Sequence, residues 1–285
     1  MSLLDARLQV HWAVQVLARF GDARIEAQPD ASHSSLTWDP ESRRFNTGAD
    51  PDGRRLQFDP VELAYRLERT GADAHEFALR GRTLDEALGW LAGLPDGIGR
   101  LEVGEPDVPA HPVREGAPFD ADPDDLAELA GWFHASHEAL AALRTGWPSA
   151  SAVRCWPHHF DIAVLIPLDA AEAEPDPEQA RSVGAGMTPG DATYAEPYWY
   201  VTPWPYPEDP DLPPLPAGAV WHTENWIGAV LHGEATLRAG PEGVAAFLAA
   251  AVEACAAMAG AQSSPHNARV RQDIVPEPRN DTREE

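Results

Sequence analysis

Residues 154–167, RCWPHHFDIAVLIP, constrain the fold more than any other stretch of this chain. After Asp161 the residues IAVLI are all apolar. Successive side chains of a β-strand point to opposite sides of its sheet, so both faces of this segment are apolar. Such a strand is stable where other elements cover the sheet on both sides. The stretch therefore predicts one buried strand, about residues 153–168, with an ionisable head at the point where it leaves the core.

The remaining elements follow from the spacing of apolar residues. In the first predicted helix, Leu4, Leu8, Trp12 and Val16 form the apolar face, and Gly21 is expected to end it. Helices are predicted over residues 3–20, 124–145 and 241–259, and HEFALRGRTLDEALGWLAGL is predicted to be a strand followed by a helix with Thr83 as its N-cap. Strands are predicted around the Asp-Pro turn of SSLTWDPESRRFNTG, in RRLQFDP, and at about 182–187, 197–203 and 220–232.

This order of elements is typical of the α+β class. We predict mostly antiparallel sheets with flanking helices in a single domain, residues 1–261. The domain would consist of two similar halves, about 1–103 and 124–261, joined by the proline- and acid-rich segment 104–123. Each half would run from a helix through several strands to a last helix. Residues 262–285 are polar and charged and are predicted to be a disordered tail.

The charge balance excludes several classes of function. The chain has 46 acidic and 21 basic residues, a formal net charge of −25, and all the basic residues are arginines. Without lysine, Schiff-base and lysine-nucleophile chemistry are excluded. Such an acidic surface repels nucleic-acid phosphates and anionic lipids, so we expect neither nucleic acid nor membrane as a partner.

The compartment can also be predicted from the sequence. The N-terminal residues lack the pattern of a secretory signal, and no apolar run is expected to span a bilayer. Cys155 and Cys255 lie far apart in apolar surroundings and are expected to be buried free thiols. These features indicate a cytoplasmic protein.

Three segments combine ionisable and aromatic side chains. In the opening stretch, strand alternation places His159 and Asp161 on one face and His158 on the other. The same alternation groups residues 222, 224 and 226 in VWHTENWIGAVL, and residues 196, 198 and 200 in YAEPYWYVTPW. We predict catalytic roles for His158, His159, Asp161, His222 and Glu224, and ligand-binding roles for Glu196, Tyr198, Tyr200 and Trp226.

Several functions fit these residues. Two imidazoles and two carboxylates can hold a divalent metal such as zinc, manganese or iron. A histidine–carboxylate pair can act as a general acid or base. A cleft lined by tyrosine and tryptophan can bind a flat or sugar-like ligand. The sequence favours small-molecule binding in an aromatic, acidic and histidine-lined cleft, extended by hydrolase-like or metal-assisted catalysis.

A different class of function also fits the same residues. In a structural or interaction protein without catalytic activity, the histidines would bond to carboxylates or backbone carbonyls. The metal, any cofactor and the oligomeric state stay open at this point.

Two of these motifs resemble a family of uncharacterised bacterial proteins, known as a domain of unknown function. The first is the His-x-Phe-Asp-Ile-Ala strand of residues 158–163, and the second is the Glu-Pro strand with paired aromatics of residues 196–201. The similarity is clearest from about 105 to 258; at the N-terminus, the tryptophan-rich NHWW-like stretch of the family is replaced by SHSSLTW. The resemblance implies one domain across nearly the whole chain, and it implies no activity, cofactor or substrate.

Overall fold

The computed structural model describes residues 2–94, 98–104, 106, 108–169 and 180–260. The predicted tail, residues 262–285, lies outside the described residues. The described residues form an α+β fold of four helices and two antiparallel sheets, as the sequence predicts.

The first half of the chain contains a five-stranded antiparallel sheet whose strands pair in chain order. Its elements are α1 (Leu3–Arg24), β1 (Thr37–Asp39), β2 (Arg44–Asn46), β3 (Arg54–Asp59), β4 (Ala64–Arg69), β5 (His75–Ala78) and α2 (Leu84–Ala92). Strand β4 was not predicted. Helix α2 begins with a capping box, in which the Thr83 side chain accepts from the Glu86 backbone N–H and the Glu86 side chain accepts from that of Thr83.

The second half contains a six-stranded antiparallel sheet with the order β10-β11-β9-β8-β7-β6. Its elements are α3 (Pro123–Gly146), β6 (Arg154–Trp156), β7 (Asp161–Pro167), β8 (Ser182–Thr188), β9 (Tyr198–Trp204), β10 (Val220–His222), β11 (Gly228–His232) and α4 (Gly233–Gly260). A 3₁₀ turn, Pro112–Glu115, lies in the segment between the halves. Each half therefore has the order helix, antiparallel strands, helix.

Two predicted strands are hairpins instead. The strand predicted at about 153–168 is interrupted by a tight turn at 157–160, and the one predicted at 220–232 by a turn at 223–227. In the first turn, the Phe160 N–H donates to the Trp156 carbonyl at 2.7 Å, and Phe160 adopts a positive φ of 57°. A positive φ is uncommon for a bulky residue, so strand alternation could not reveal this reversal.

Helix α1 is buried on nearly all sides, because it packs against β3 of its own half and against α3 of the second half. Its predicted apolar stripe is not its only buried face, and Leu4 at one end of that stripe is 45% exposed. The helix also continues past Gly21, where the prediction ended it. A Cβ at Gly21 would lie 2.5 Å from the His33 carbonyl oxygen. The glycine therefore lets the loop at His33 approach the helix closely.

Polar and apolar contacts connect the two halves. Leu36 and Cys155 exchange two backbone hydrogen bonds of 2.9 and 2.8 Å, and Arg154 Nη1 donates to the Ser35 hydroxyl at 3.0 Å. Buried apolar side chains from both halves form one hydrophobic cluster. The assignment of a single domain stays a prediction.

Helix α4 is long and apolar enough, by length and composition alone, to cross a membrane. It packs against β8, β9 and β11, and it carries buried side chains from Val244 to Ala259. The helix breaks at Gly240, whose φ is 65°, and Pro241 begins its second segment. These contacts are those of a core helix, and the predicted segment 241–259 corresponds to that second part.

Candidate functional site

The two faces of the six-stranded sheet differ in chemistry. The face that carries Ile162, Val164 and Trp199 belongs to the hydrophobic core. The opposite face, which we name the tyrosine face, carries Asp161, Tyr198, Tyr200, His222 and His232, as strand pairing and alternation require. Tyr200, His222 and His232 on this face are half-buried, so solvent reaches it.

Asp161 is the most deeply buried acid of the tyrosine face, with 8% of its surface exposed. The Tyr200 hydroxyl donates to its Oδ2 atom, whereas its Oδ1 atom is buried and has no hydrogen-bond partner among the described residues. Gly186, on the intervening strand β8, makes this bond possible, because a Cβ there would lie 2.7 Å from the Tyr200 hydroxyl. The tyrosine therefore crosses one strand to reach the carboxylate on β7.

The protonation of this pair follows from its surroundings. Burial raises the pKa of the Asp161 carboxyl, while the charge of His159 and the hydrogen bond from Tyr200 oppose that shift. Burial and the nearby Asp161 charge hold the pKa of Tyr200 well above its ordinary range, so Tyr200 keeps its proton and is the donor. Asp161 thus retains a proton at higher pH than an ordinary carboxyl group does.

A second tyrosine–aspartate pair lies beside the first. The Tyr198 hydroxyl donates to Asp191 Oδ2 at 2.6 Å, and burial is the main cause that raises the pKa of Tyr198. The Asp191 Oδ1 atom accepts from the backbone N–H groups of Thr193 and Tyr194, at 2.7 and 2.9 Å. Asp191 itself is exposed, and its carboxylate has three protein partners.

Tyr194 connects this pair to His222. The His222 Nε2 atom lies 2.6 Å from the Glu224 carbonyl, which can only accept, so Nε2 carries a hydrogen. In the neutral ring the Nδ1 atom then accepts from the Tyr194 hydroxyl at 2.7 Å. The Trp226 ring stacks on the His222 ring, with 4.3 Å between centroids. Both nitrogens of His222 are therefore occupied by protein groups.

His158 and His159 lie in the turn before β7, not in the strand. Their ring centroids are 4.2 Å apart, with His158 half-buried and His159 exposed. Burial and the neighbouring rings of His159 and His11 lower the pKa of His158 to about 3, so this ring is neutral near pH 7. His159 interacts electrostatically with Asp161 and places an exposed imidazole beside the buried carboxyl.

Helix α1 contributes a polar stripe that sequence reasoning missed. His11 Nε2 and Gln15 Nε2 donate to the Pro157 carbonyl at 2.8 and 2.7 Å, and Arg7 Nη1 donates to the Ala195 carbonyl at 3.3 Å. Burial is the main cause that lowers the pKa of His11 to about 4. The three polar side chains recur every four residues in a helix that is otherwise mostly apolar. This spacing indicates that they lie on one side of the helix, so the stripe could be found from the sequence.

The structure brings together only part of the predicted site. His159, Asp161 and Tyr200 form one group, and Tyr198 lies next to it as strand alternation predicts. His222 and Trp226 are linked to that group through Tyr194, which the sequence prediction had not selected. Their catalytic and ligand-binding roles stay predictions.

Two predicted site residues lie at the margin. Glu196 is exposed in the loop before β9, and it does not share the strand face of Tyr198 because β9 begins at Tyr198. Glu224 lies in the turn between β10 and β11; its carbonyl bonds His222, and its charge contributes to the raised pKa of Tyr194. Asp191, Tyr194 and the α1 stripe are additional polar residues of the site.

Metal coordination receives no geometric support within the described ranges. No three histidine, cysteine, aspartate or glutamate side chains of those ranges are grouped closely enough to hold one metal ion. Cys155 and Cys255 are buried and free, as predicted, and burial raises the pKa of both thiols. The chemistry available on the tyrosine face is that of carboxyl, phenol and imidazole groups, and Arg7 of α1 adds a guanidinium near the loop before β9.

Comparisons of the chain with protein-family models, with curated proteins and with solved structures find no match. The resemblance to a bacterial domain of unknown function therefore stays a prediction.

Proposed function

We propose that this protein binds a small organic molecule on the tyrosine face, with Asp161 as the polar anchor. The observation that carries the proposal is the Oδ1 atom of Asp161, which is buried and has no hydrogen-bond partner among the residues that the structure describes. A buried acceptor without a partner costs free energy, and a donor group of a ligand would offset that cost. The neighbouring aromatic rings of Tyr194, Tyr198 and Trp226 offer flat surfaces for the rest of the molecule.

The proposed function extends to acid–base catalysis of a hydrolase-like reaction. A carboxyl group whose pKa is raised by burial takes up a proton more readily near neutral pH than an ordinary one. Asp161 would accept a proton from a water molecule that attacks the bound ligand, and the exposed His159 would pass protons to solvent. We assign these roles without a metal, because the described residues place no three ligands together.

The alternative is a protein whose histidines only support the fold. It is favoured by His11 and His222, since protein groups occupy the His11 Nε2 atom and both ring nitrogens of His222. Asp161 and His159 favour the binding function, because within the described residues Asp161 Oδ1 is a buried oxygen without a hydrogen-bond partner and an exposed imidazole lies beside it.

We also propose a cytoplasmic location and neither nucleic acid nor membrane as a partner. The net charge of −25 supports the exclusion of polyanionic partners. The two free, buried cysteines support a reducing compartment.

Binding can be tested with benzylamine and benzyl alcohol, two small aromatic probes that carry hydrogen-bond donors. We expect amide chemical-shift changes, measured by two-dimensional NMR, at residues 159–161 and 198–200 for at least one probe. Asp161→Asn should abolish these changes, and Glu76→Gln, at an exposed acid of the other sheet, should leave them intact. Changes elsewhere, or changes that persist in Asp161→Asn, would refute the proposed site.

A further inference from the structure

Within the described residues, two arginines are almost completely buried, and only one of these two forms an ion pair with an acidic residue of that part of the chain. Arg54 is 2% exposed and forms ion pairs with Asp50, at 2.8 Å, and with Asp52. Arg7 is 7% exposed and forms no ion pair within the described part of the chain. To the described residues it makes one hydrogen bond, the 3.3 Å contact from Nη1 to the Ala195 carbonyl. A guanidinium stays charged in a protein and offers five donors, so most of the hydrogen-bonding capacity of Arg7 is unused.

The nearby acids do not satisfy Arg7. Asp191 acts on it electrostatically, but the Asp191 carboxylate is engaged by Tyr198, Thr193 and Tyr194. The chain holds 46 acidic residues, so an acidic partner for a buried arginine would be easy to supply from within. Burial lowers the pKa of the Arg7 guanidinium, and the charge of Asp191 opposes only part of that shift, so a second anion beside Arg7 would be favourable.

Arg7 is also held in place. It lies on α1 one turn before His11, which is bonded to the Pro157 carbonyl beside the turn that carries His158 and His159. The guanidinium of Arg7 lies against Gly190, whose φ is +112°. A Cβ at Gly190 would collide with the Nη1 atom of Arg7. Glycine at this position therefore permits both the loop conformation and the close approach of the guanidinium.

From these observations we infer that Arg7 binds an oxyanion of the ligand, a carboxylate or a phosphate. The inference rests on the proposed binding function and adds to it the charge of the ligand. Planar guanidinium groups pair with both anions through two parallel hydrogen bonds. The overall negative charge opposes anions at long range, but at physiological ionic strength it is screened over roughly 8 Å, so local contacts decide the affinity.

Inorganic phosphate and acetate are the probes for this site, with chloride at equal ionic strength as the reference. Binding is measured on the full chain from the Arg7 Nε–H signal in NMR spectra and from the thermal midpoint. We expect phosphate or acetate, but not chloride, to shift the signal and raise the midpoint. A response to phosphate alone identifies a phosphoryl ligand, a response to acetate alone identifies a carboxylate ligand, and either supports the inference.

Arg7→Met separates recognition from a structural role. We expect it to weaken oxyanion binding by at least about tenfold, because hydrogen bonds to charged groups are lost. Without an oxyanion, its midpoint should equal or exceed that of the wild type, because the variant removes a desolvated charge at the expense of one 3.3 Å hydrogen bond. Arg82→Met, at an exposed arginine of the first half, should leave binding unchanged. If Arg7→Met does not fold, Arg7→Lys keeps the charge, and weaker binding by this variant supports the requirement for the guanidinium fork.

Two results would overturn the inference: no response to either oxyanion, or equal oxyanion binding by the wild type and the Arg7 variants. The proposed function is tested separately, by the amide shifts that benzylamine and benzyl alcohol cause. If benzylamine or benzyl alcohol still shifts the amide signals at residues 159–161, only the role of Arg7 is refuted, whereas loss of both responses refutes the proposed function as well.

Discussion

Tyr200→Phe tests the chemistry of the tyrosine face most directly, because it removes one oxygen atom and leaves the ring in place. The lost hydroxyl is the donor to Asp161, whose other carboxyl oxygen has no hydrogen-bond partner in the described part of the chain. With Asp161 only 8% exposed, water cannot fully replace the donor. A hydrogen bond to a charged group contributes about 1.5–3 kcal/mol, so we expect the free energy of unfolding to fall by about that amount.

The cost should depend on pH, and its sign follows from the pKa of Asp161. The hydrogen bond from Tyr200 lowers this pKa and burial raises it, so removal of the hydroxyl raises it further. The folded variant then holds the Asp161 proton more tightly than the wild type does. The loss of stability is therefore largest where Asp161 is ionised, and it shrinks as the pH falls through the raised pKa.

Urea unfolding at neutral pH, and at the lowest pH at which the wild type stays folded, measures both effects. Tyr198→Phe is the matched control, since Tyr198 donates at 2.6 Å to Asp191, an exposed carboxylate with two other donors. We expect this control to lose about 0.5–1.5 kcal/mol. Equal losses in the two variants, or a loss in Tyr200→Phe that does not change with pH, would refute the reasoning about Asp161.

Three further predictions test other contacts. Gly186→Ala should reduce stability by about 1–3 kcal/mol in urea unfolding, because the added Cβ would lie 2.7 Å from the Tyr200 hydroxyl; an unchanged midpoint would contradict the crossing. Because the pKa of His11 is depressed to about 4 in the folded chain, wild-type stability should fall as the pH drops from about 6.5, and His11→Gln should weaken that dependence in a pH series of unfolding curves. Thr83→Ala should cost about 1 kcal/mol by removing the capping box with Glu86, measured as a shift in the unfolding midpoint.

Sequence periodicity predicts well the features that repeat within a single helix or strand. Helix α3 lies where apolar spacing predicts it, at 124–145, and Leu126, Leu129, Phe133 and Leu140 of this helix are buried. Tyr198 and Tyr200 share a sheet face, as the period of two requires. These features depend on local backbone geometry, so the sequence by itself determined them.

The reversals at 157–160 and 223–227 could not be predicted in this way. Strand alternation assumes a continuous strand. A positive φ is usually recognised in a sequence by a glycine, and at 160 the residue is phenylalanine, so the reversal has no such signal. As a result, His158, His159, Glu224 and Trp226 were assigned to strand faces that they do not occupy.

The identity of the polar partners was decided by tertiary structure alone. Arg7 contacts Ala195, 188 residues away in the chain, and His11 contacts Pro157, 146 residues away. The sequence alone determined the α+β class, through the order of its predicted elements. It also determined which carboxyl, imidazole and phenol groups the chain contains, because these belong to the residue types themselves. Only the packing of α1 against the second half determines which of these groups remain unpaired, because a buried group without a partner is defined by the neighbours that folding brings to it.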